Sequence, residues 1–174
     1  CDAQQFMTLT QSEQTEKLIL GHRAGEKNSK AKLPALTYMG VLDEAKYKEY
    51  LKKCEADGTK PLGSRRAEFM RPTGLLMLDF DHVAPLSSPQ GGKTPTDAID
   101  SPVKLWEYIV NEYRERGAEL SNDVALAHIT PSGDGLRVVV KRVKGFTIER
   151  SQQEWCDYMN LSVIDIKPDA ACKD

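Results

Sequence analysis

The chain has 174 residues, 29% of them charged, and a formal net charge of -2. That length suits one domain with a sizeable core and is short for two, and a charge so near zero excludes a nucleic-acid or membrane partner recruited by bulk electrostatics, so any such binding must come from a local patch. The four cysteines, Cys1, Cys54, Cys156 and Cys172, form no CxxC pair and no metal-ligand spacing, which favours free thiols in a cytoplasmic protein over a disulfide scaffold.

In chain order, Cys1 suggests either the lipidated start of a processed lipoprotein or, the preferred reading, the cut end of a longer chain. No signal peptide and no apolar run of membrane-spanning length is visible, so no membrane partner is expected. Residues 11–23, with Leu18, Ile19 and His22 at helical spacing, predict a short helix ending near Gly21 or Gly25. An extended segment, "KLPALTYMGVL", leads into "DEAKYKEYLKKCEADG", a charged amphipathic helix stopped by Gly58, with Tyr47, Tyr50 and Leu51 toward the core. "TKPLGSRRAEFMRP" is a basic connection punctuated by Pro and Gly. "TGLLMLDFDHV" is a strand, and 84–101 is a surface loop rich in Pro, Ser and Gly.

A helix follows, with Ser101 as N-cap, Pro102 in its first turn and Gly117 at its end. "DVALAHIT" and "LRVVVKRV" are β-rich runs joined by "PSGDG", a link short enough to demand a hairpin. Residues 148–159 predict a further helix with Trp155 and Tyr158 inward, and "LSVIDI" a final strand. "DAACKD" stops abruptly, which suggests that the natural protein continues. From Gly74 onward the order is strand, helix, strand, strand, helix, strand, the ferredoxin-like βαββαβ arrangement. The expected fold class is therefore α+β with a mostly antiparallel sheet, in a single domain whose 1–73 portion precedes a 74–174 core.

Within that core Asp79 and Asp81 end an apolar strand one residue apart. Alternation along a strand points both carboxylates to one face, where they raise each other's pKa unless a cation neutralises them. An all-oxygen pair suits Mg²⁺ or Mn²⁺; a solvated strand end is the plain alternative. His82 follows as an auxiliary candidate. A haloacid-dehalogenase-like phosphatase shares the DxD strand end, with Thr130, Asp165 and Asp169 in its later motifs, but it needs a parallel sheet, and "PSGDG" is too short for a parallel crossover. In "TPSGDGLRVVVK", Ser132, Gly133 and Gly135 form a turn whose N–H groups suit phosphate, with Arg137 just beyond. The same residues are also what any tight turn prefers.

These motifs together resemble the archaeo-eukaryotic primase superfamily, and within it the VirE N-terminal, primase-like domains of Bacteroidetes mobile-element proteins. The resemblance runs from "KAKLPALTYMG" through "TGLLMLDFDHV" and "TPSGDGLRVVVK" to "PDAACKD". It implies an acidic pair at Asp79 and Asp81, a second motif at Gly135, Leu136 and Arg137 with arginine where the superfamily has histidine, and a third motif at Asp169, with Asp165 the lesser choice. The implied reaction is nucleotidyl transfer, with two Mg²⁺ or Mn²⁺ ions held by Asp79, Asp81 and Asp169. Ser132, Gly133, Gly135 and Arg137 would hold a nucleoside triphosphate, Arg137 through its planar fork. DNA template or primer is the implied partner, with a helicase beside it. Lys141, Arg142 and Lys144 are candidates for template phosphates, with a solvated face the preferred reading, and Arg71 is the basic residue best placed to approach the site. Arg137 cannot act as acid or base, so a binding module without catalysis is the alternative.

Overall fold

The computed structural model describes residues 3–33, 38–64, 66–83 and 99–169. Among them the protein is α+β, with six α-helices and two small antiparallel sheets. The N-terminal part is α1 (Ala3–Thr10), α2 (Glu13–Arg23) and α3 (Ser29–Lys32), then β1 (Gly40–Leu42), α4 (Glu44–Asp57) and β2 (Met70–Pro72). Ser12 caps α2 by accepting from the Thr15 N–H, and the helix runs through Gly21 to a cap at Ala24. Helix α4 keeps its expected limits: Asp43 accepts from the Lys46 N–H at one end, and Gly58 takes the left-handed conformation at the other. The connection expected over 59–72 contains a strand, β2, whose Arg71 pairs with Val41 of β1. Tyr47 and Tyr50 pack on Phe69, a satellite cluster outside the main core.

The principal sheet is formed by β3 (Leu75–Phe80), β4 (Val124–Ile129) and β5 (Leu136–Lys141) in the order β3-β5-β4. Helix α5 (Pro102–Glu115) connects β3 to the hairpin, and α6 (Ile148–Tyr158) follows it. Alternation sends Leu76, Leu78 and Phe80 of β3 and Leu136, Val138 and Val140 of β5 to one face, where they pack with Leu105 and Ile109 of α5 and Cys156 of α6. Six of these, Leu76, Leu78, Leu105, Ile109, Val138 and Val140, are 0% exposed. Each contributes about 1.5–3 kcal/mol of transfer free energy. Burial also pushes the Cys156 thiol up to about 11, so it stays protonated at neutral pH.

Two expectations for the C-terminal part change. Tyr158 is 41% exposed rather than inward, with Arg116 over its ring. The run 161–166 is not a strand: Leu161–Ile164 is a 3-10 turn, flanked by left-handed Asn160 and Asp165. Burial of Leu161 and Ile164 explains this, because a three-residue repeat sets both on the core side. The free edge of β3 is met instead by the chain at Asp169, whose N–H donates to the Asp79 carbonyl at 2.6 Å. No described helix is long and apolar enough to cross a membrane. The surface loop expected over 84–101 falls, except for 99–101, outside the described residues, as do Cys1 and residues 170–174 with Cys172.

Candidate functional site

The sheet face opposite α5 and α6 carries a polar row. In the antiparallel register Asp79 of β3 stands opposite Arg137 of β5, and Arg137 stands opposite His128 of β4. Asp79 is 4% exposed. Its charge is compensated by Arg137: Nε lies 3.0 Å from both carboxylate oxygens, and Nη2 lies 2.9 Å from Oδ2. A planar guanidinium meets a carboxylate in this forked way, and a lysine could not copy it.

His128 extends the row. Its Nδ1 lies 3.0 Å from the Ile129 carbonyl, which can only accept, so this nitrogen carries the proton. Nε2 then accepts from the Tyr38 hydroxyl at 2.9 Å. Burial holds the imidazole below its ordinary pKa, and the Arg137 cation pushes the same way. Burial likewise raises the Tyr38 phenol. Phe6 of α1 also approaches the His128 ring, with centroids 5.8 Å apart, so the N-terminal segment covers this end of the face.

Asp81 lies beyond the end of β3 and is exposed. Among the described residues it has no ion-pair or hydrogen-bond partner. Asp79 and Asp81 thus have opposite environments, one buried and paired, the other in solvent. His82, next in sequence, takes φ 54, a left-handed conformation rare for a residue with a Cβ. Its Nδ1 lies 2.8 Å from Asp134 Oδ2, and the Val83 N–H donates to the Asp134 carbonyl at 2.8 Å. The chain leaving β3 is therefore fastened to the hairpin turn.

That turn is self-contained. The Gly133 N–H donates to the Thr130 carbonyl at 2.9 Å, and the Gly135 N–H to Thr130 Oγ1 at 3.0 Å. Ser132 Oγ lies 2.9 Å from the same hydroxyl. Asp134 titrates below the usual carboxylate range, held there by hydrogen bonds from Ser132 and His82. Gly135 is required by close packing: a Cβ there would lie 2.8 Å from Thr130 Oγ1 and 2.9 Å from the Phe80 carbonyl. Two N–H groups expected to face phosphate are thus committed to the turn's own bonds.

The remaining predicted residues are dispersed. Lys141 ends β5, and its ammonium donates to the Asn122 carbonyl. Arg71 belongs to the small sheet and lies 3.9 Å from Asp43. Asp165 pairs with Lys167 at 3.3 Å. Asp169 meets β3 through its backbone. Among the described residues no three His, Cys, Asp or Glu side chains are gathered as metal ligands. In kind the carboxylates of Asp79, Asp81 and Asp169 suit Mg²⁺ or Mn²⁺; in arrangement Arg137 already occupies both oxygens of Asp79.

Tyr38 and His128 were not singled out in the sequence. His128 was reachable: once the five-residue turn fixes the pairing of the hairpin, it falls opposite Arg137. Tyr38 arrives from the N-terminal part, and no local pattern announces it. No protein-family model, curated protein or solved structure matches the chain.

Proposed function

We propose that the chain is a primase-type nucleotidyltransferase domain of a cytoplasmic replication protein, with a nucleoside triphosphate and a DNA 3′ end as ligands and Asp79, Asp81 and Asp169 as its acidic centre. The observation that carries this reading is the backbone hydrogen bond from Asp169 to Asp79, which brings the late acidic position to the end of the acidic strand. The order β3, α5, β4, β5, α6 and the sheet order β3-β5-β4 support a ferredoxin-like core in which the chain around Asp169 runs where a fourth strand would lie. Both described sheets are antiparallel, so the parallel-sheet phosphatase has no such support.

Bound at these carboxylates, divalent ions would supply activation of a 3′-hydroxyl and neutralisation of a leaving pyrophosphate. The chain's own part is electrostatic. Arg137 offsets the charge of the buried Asp79 carboxylate through a forked ion pair, and its guanidinium is a fixed positive charge beside the acidic strand for phosphate oxygens to approach. Incorporation of labelled deoxynucleotide with Mn²⁺, on primed and unprimed templates, tests the reading. Asp79→Ala, Asp81→Ala and Asp169→Ala should each abolish it. Incorporation that survives all three substitutions overturns the assignment.

A second reading rests on the Asp79–Arg137 pair itself. If the guanidinium takes the place of a metal ion on Asp79, the domain binds nucleotide or DNA without transferring a nucleotidyl group. Triphosphate binding that needs no divalent cation, together with no incorporation, selects this binding module over the enzyme.

A further inference from the structure

The hairpin turn is touched by a residue from far earlier in the chain. Arg23, at the last turn of α2, donates from Nε to the Pro131 carbonyl at 3.1 Å. Its guanidinium lies over Gly133: a Cβ there would be 3.1 Å from Nε and 3.2 Å from Cζ and Nη2. Gly133 has φ 90, so a side chain there would be strained by the backbone conformation and its Cβ would press on the overlying guanidinium.

With the Gly133 and Gly135 N–H groups committed to Thr130, the turn has little of its own left to offer an anion. Arg23 supplies what is missing. A guanidinium has five N–H donors, and the Pro131 carbonyl engages only Nε. Arg23 is exposed and has no carboxylate partner among the described residues. The carboxylate within the turn, Asp134, is engaged by His82. We infer that Arg23 is a phosphate-binding residue of the nucleotide site, so that a bound triphosphate is held by Arg137 from the sheet and by Arg23 from the N-terminal helices. This deepens the nucleotide-binding reading above and rests on it.

Calorimetric titration of the wild-type protein, Arg23→Gln and Arg23→Lys with dATP, inorganic tripolyphosphate and deoxyadenosine tests the assignment, with a thermal melt of each variant alongside. Arg23→Gln removes a charge-assisted hydrogen bond to phosphate, and should therefore weaken dATP and tripolyphosphate by about tenfold or more while any deoxyadenosine binding stays unchanged; Arg23→Lys should recover part of the affinity. If Arg23 only packs α2 on the hairpin, Arg23→Gln lowers the melting temperature while dATP affinity stays at the wild-type value; the inference then fails and the nucleotide-binding reading stands. A wild-type protein that binds neither dATP nor tripolyphosphate removes both. Should Arg23→Gln not fold, Arg23→Lys decides alone: it keeps the charge without the forked geometry, so dATP affinity below wild type supports the inference and affinity equal to wild type overturns it.

Discussion

The two faces of the β3-β5-β4 sheet are built from the same three strands under opposite rules. On the helix side Leu76, Leu78, Phe80, Leu136, Val138 and Val140 are all at most 2% exposed, and their contribution is non-directional. On the other side Asp79, Arg137 and His128 depend on pairing, because a buried charge without a partner costs more than any one apolar neighbour supplies. The first face tolerates a change of shape better than a change of polarity. The second tolerates little removal of one partner at a time.

The largest expected effect lies on the apolar face. Leu78 is 0% exposed, and Leu78→Ala should cost about 2–5 kcal/mol in denaturant melts. A smaller effect would mean that α5 and α6 collapse into the space. Next comes the polar face: Arg137→Gln removes the forked partner of Asp79, whose side chain is 6% exposed. Fully buried pairs lose about 3–5 kcal/mol on such a change; with the Arg137 side chain 33% exposed and partly screened by water, about 2 kcal/mol is expected. Asp79→Asn in the same chain should restore part of it. A double variant as unstable as the sum of the singles would show that the pair is not coupled.

The two faces were not equally legible in the sequence. Short apolar runs and turn residues disclosed β3, the hairpin and α5, since period, cap and turn are local properties. The Asp79–Arg137 pair required the β3–β5 register, and nothing in "LLMLDF" or "LRVVVK" states which strand β5 joins on its second side. Asp79 and Asp81 read as equivalent because alternation extends a strand indefinitely; the left-handed conformation at His82 marks where the chain turns away. "LSVIDI" has strand composition, and the 3-10 turn there follows from tertiary burial of Leu161 and Ile164. Arg23 and Tyr38 belong to the N-terminal part and reach the hairpin only through the assembled fold.

A smaller effect separates the faces by pH. His128 titrates below its ordinary value of 6.5 in the folded protein, so between the two values the unfolded chain binds the proton and the native one does not. Stability from this group is complete above the unfolded value and falls as pH drops through that window. His128→Gln should flatten that part of the stability-versus-pH curve. An unchanged curve in His128→Gln would mean that His128 does not carry the dependence.

The smallest effect is at His82, and its sign is informative. The residue bears two opposed contributions: a hydrogen-bonded contact with Asp134 from an imidazole that is 85% exposed, and a positive φ of 54. An exposed pair typically contributes about 0.2–1 kcal/mol and less in salt, whereas the left-handed conformation costs a residue with a Cβ about 1–2 kcal/mol relative to glycine. His82→Gly therefore removes the weaker contribution along with the stronger one, offset in part by the greater freedom of glycine in the unfolded chain. The expected outcome is a melting temperature equal to or slightly above wild type at moderate salt, while His82→Ala, which keeps the strain without the pair, melts below both. A His82→Gly variant markedly less stable than His82→Ala would mean that backbone strain at the end of β3 is negligible.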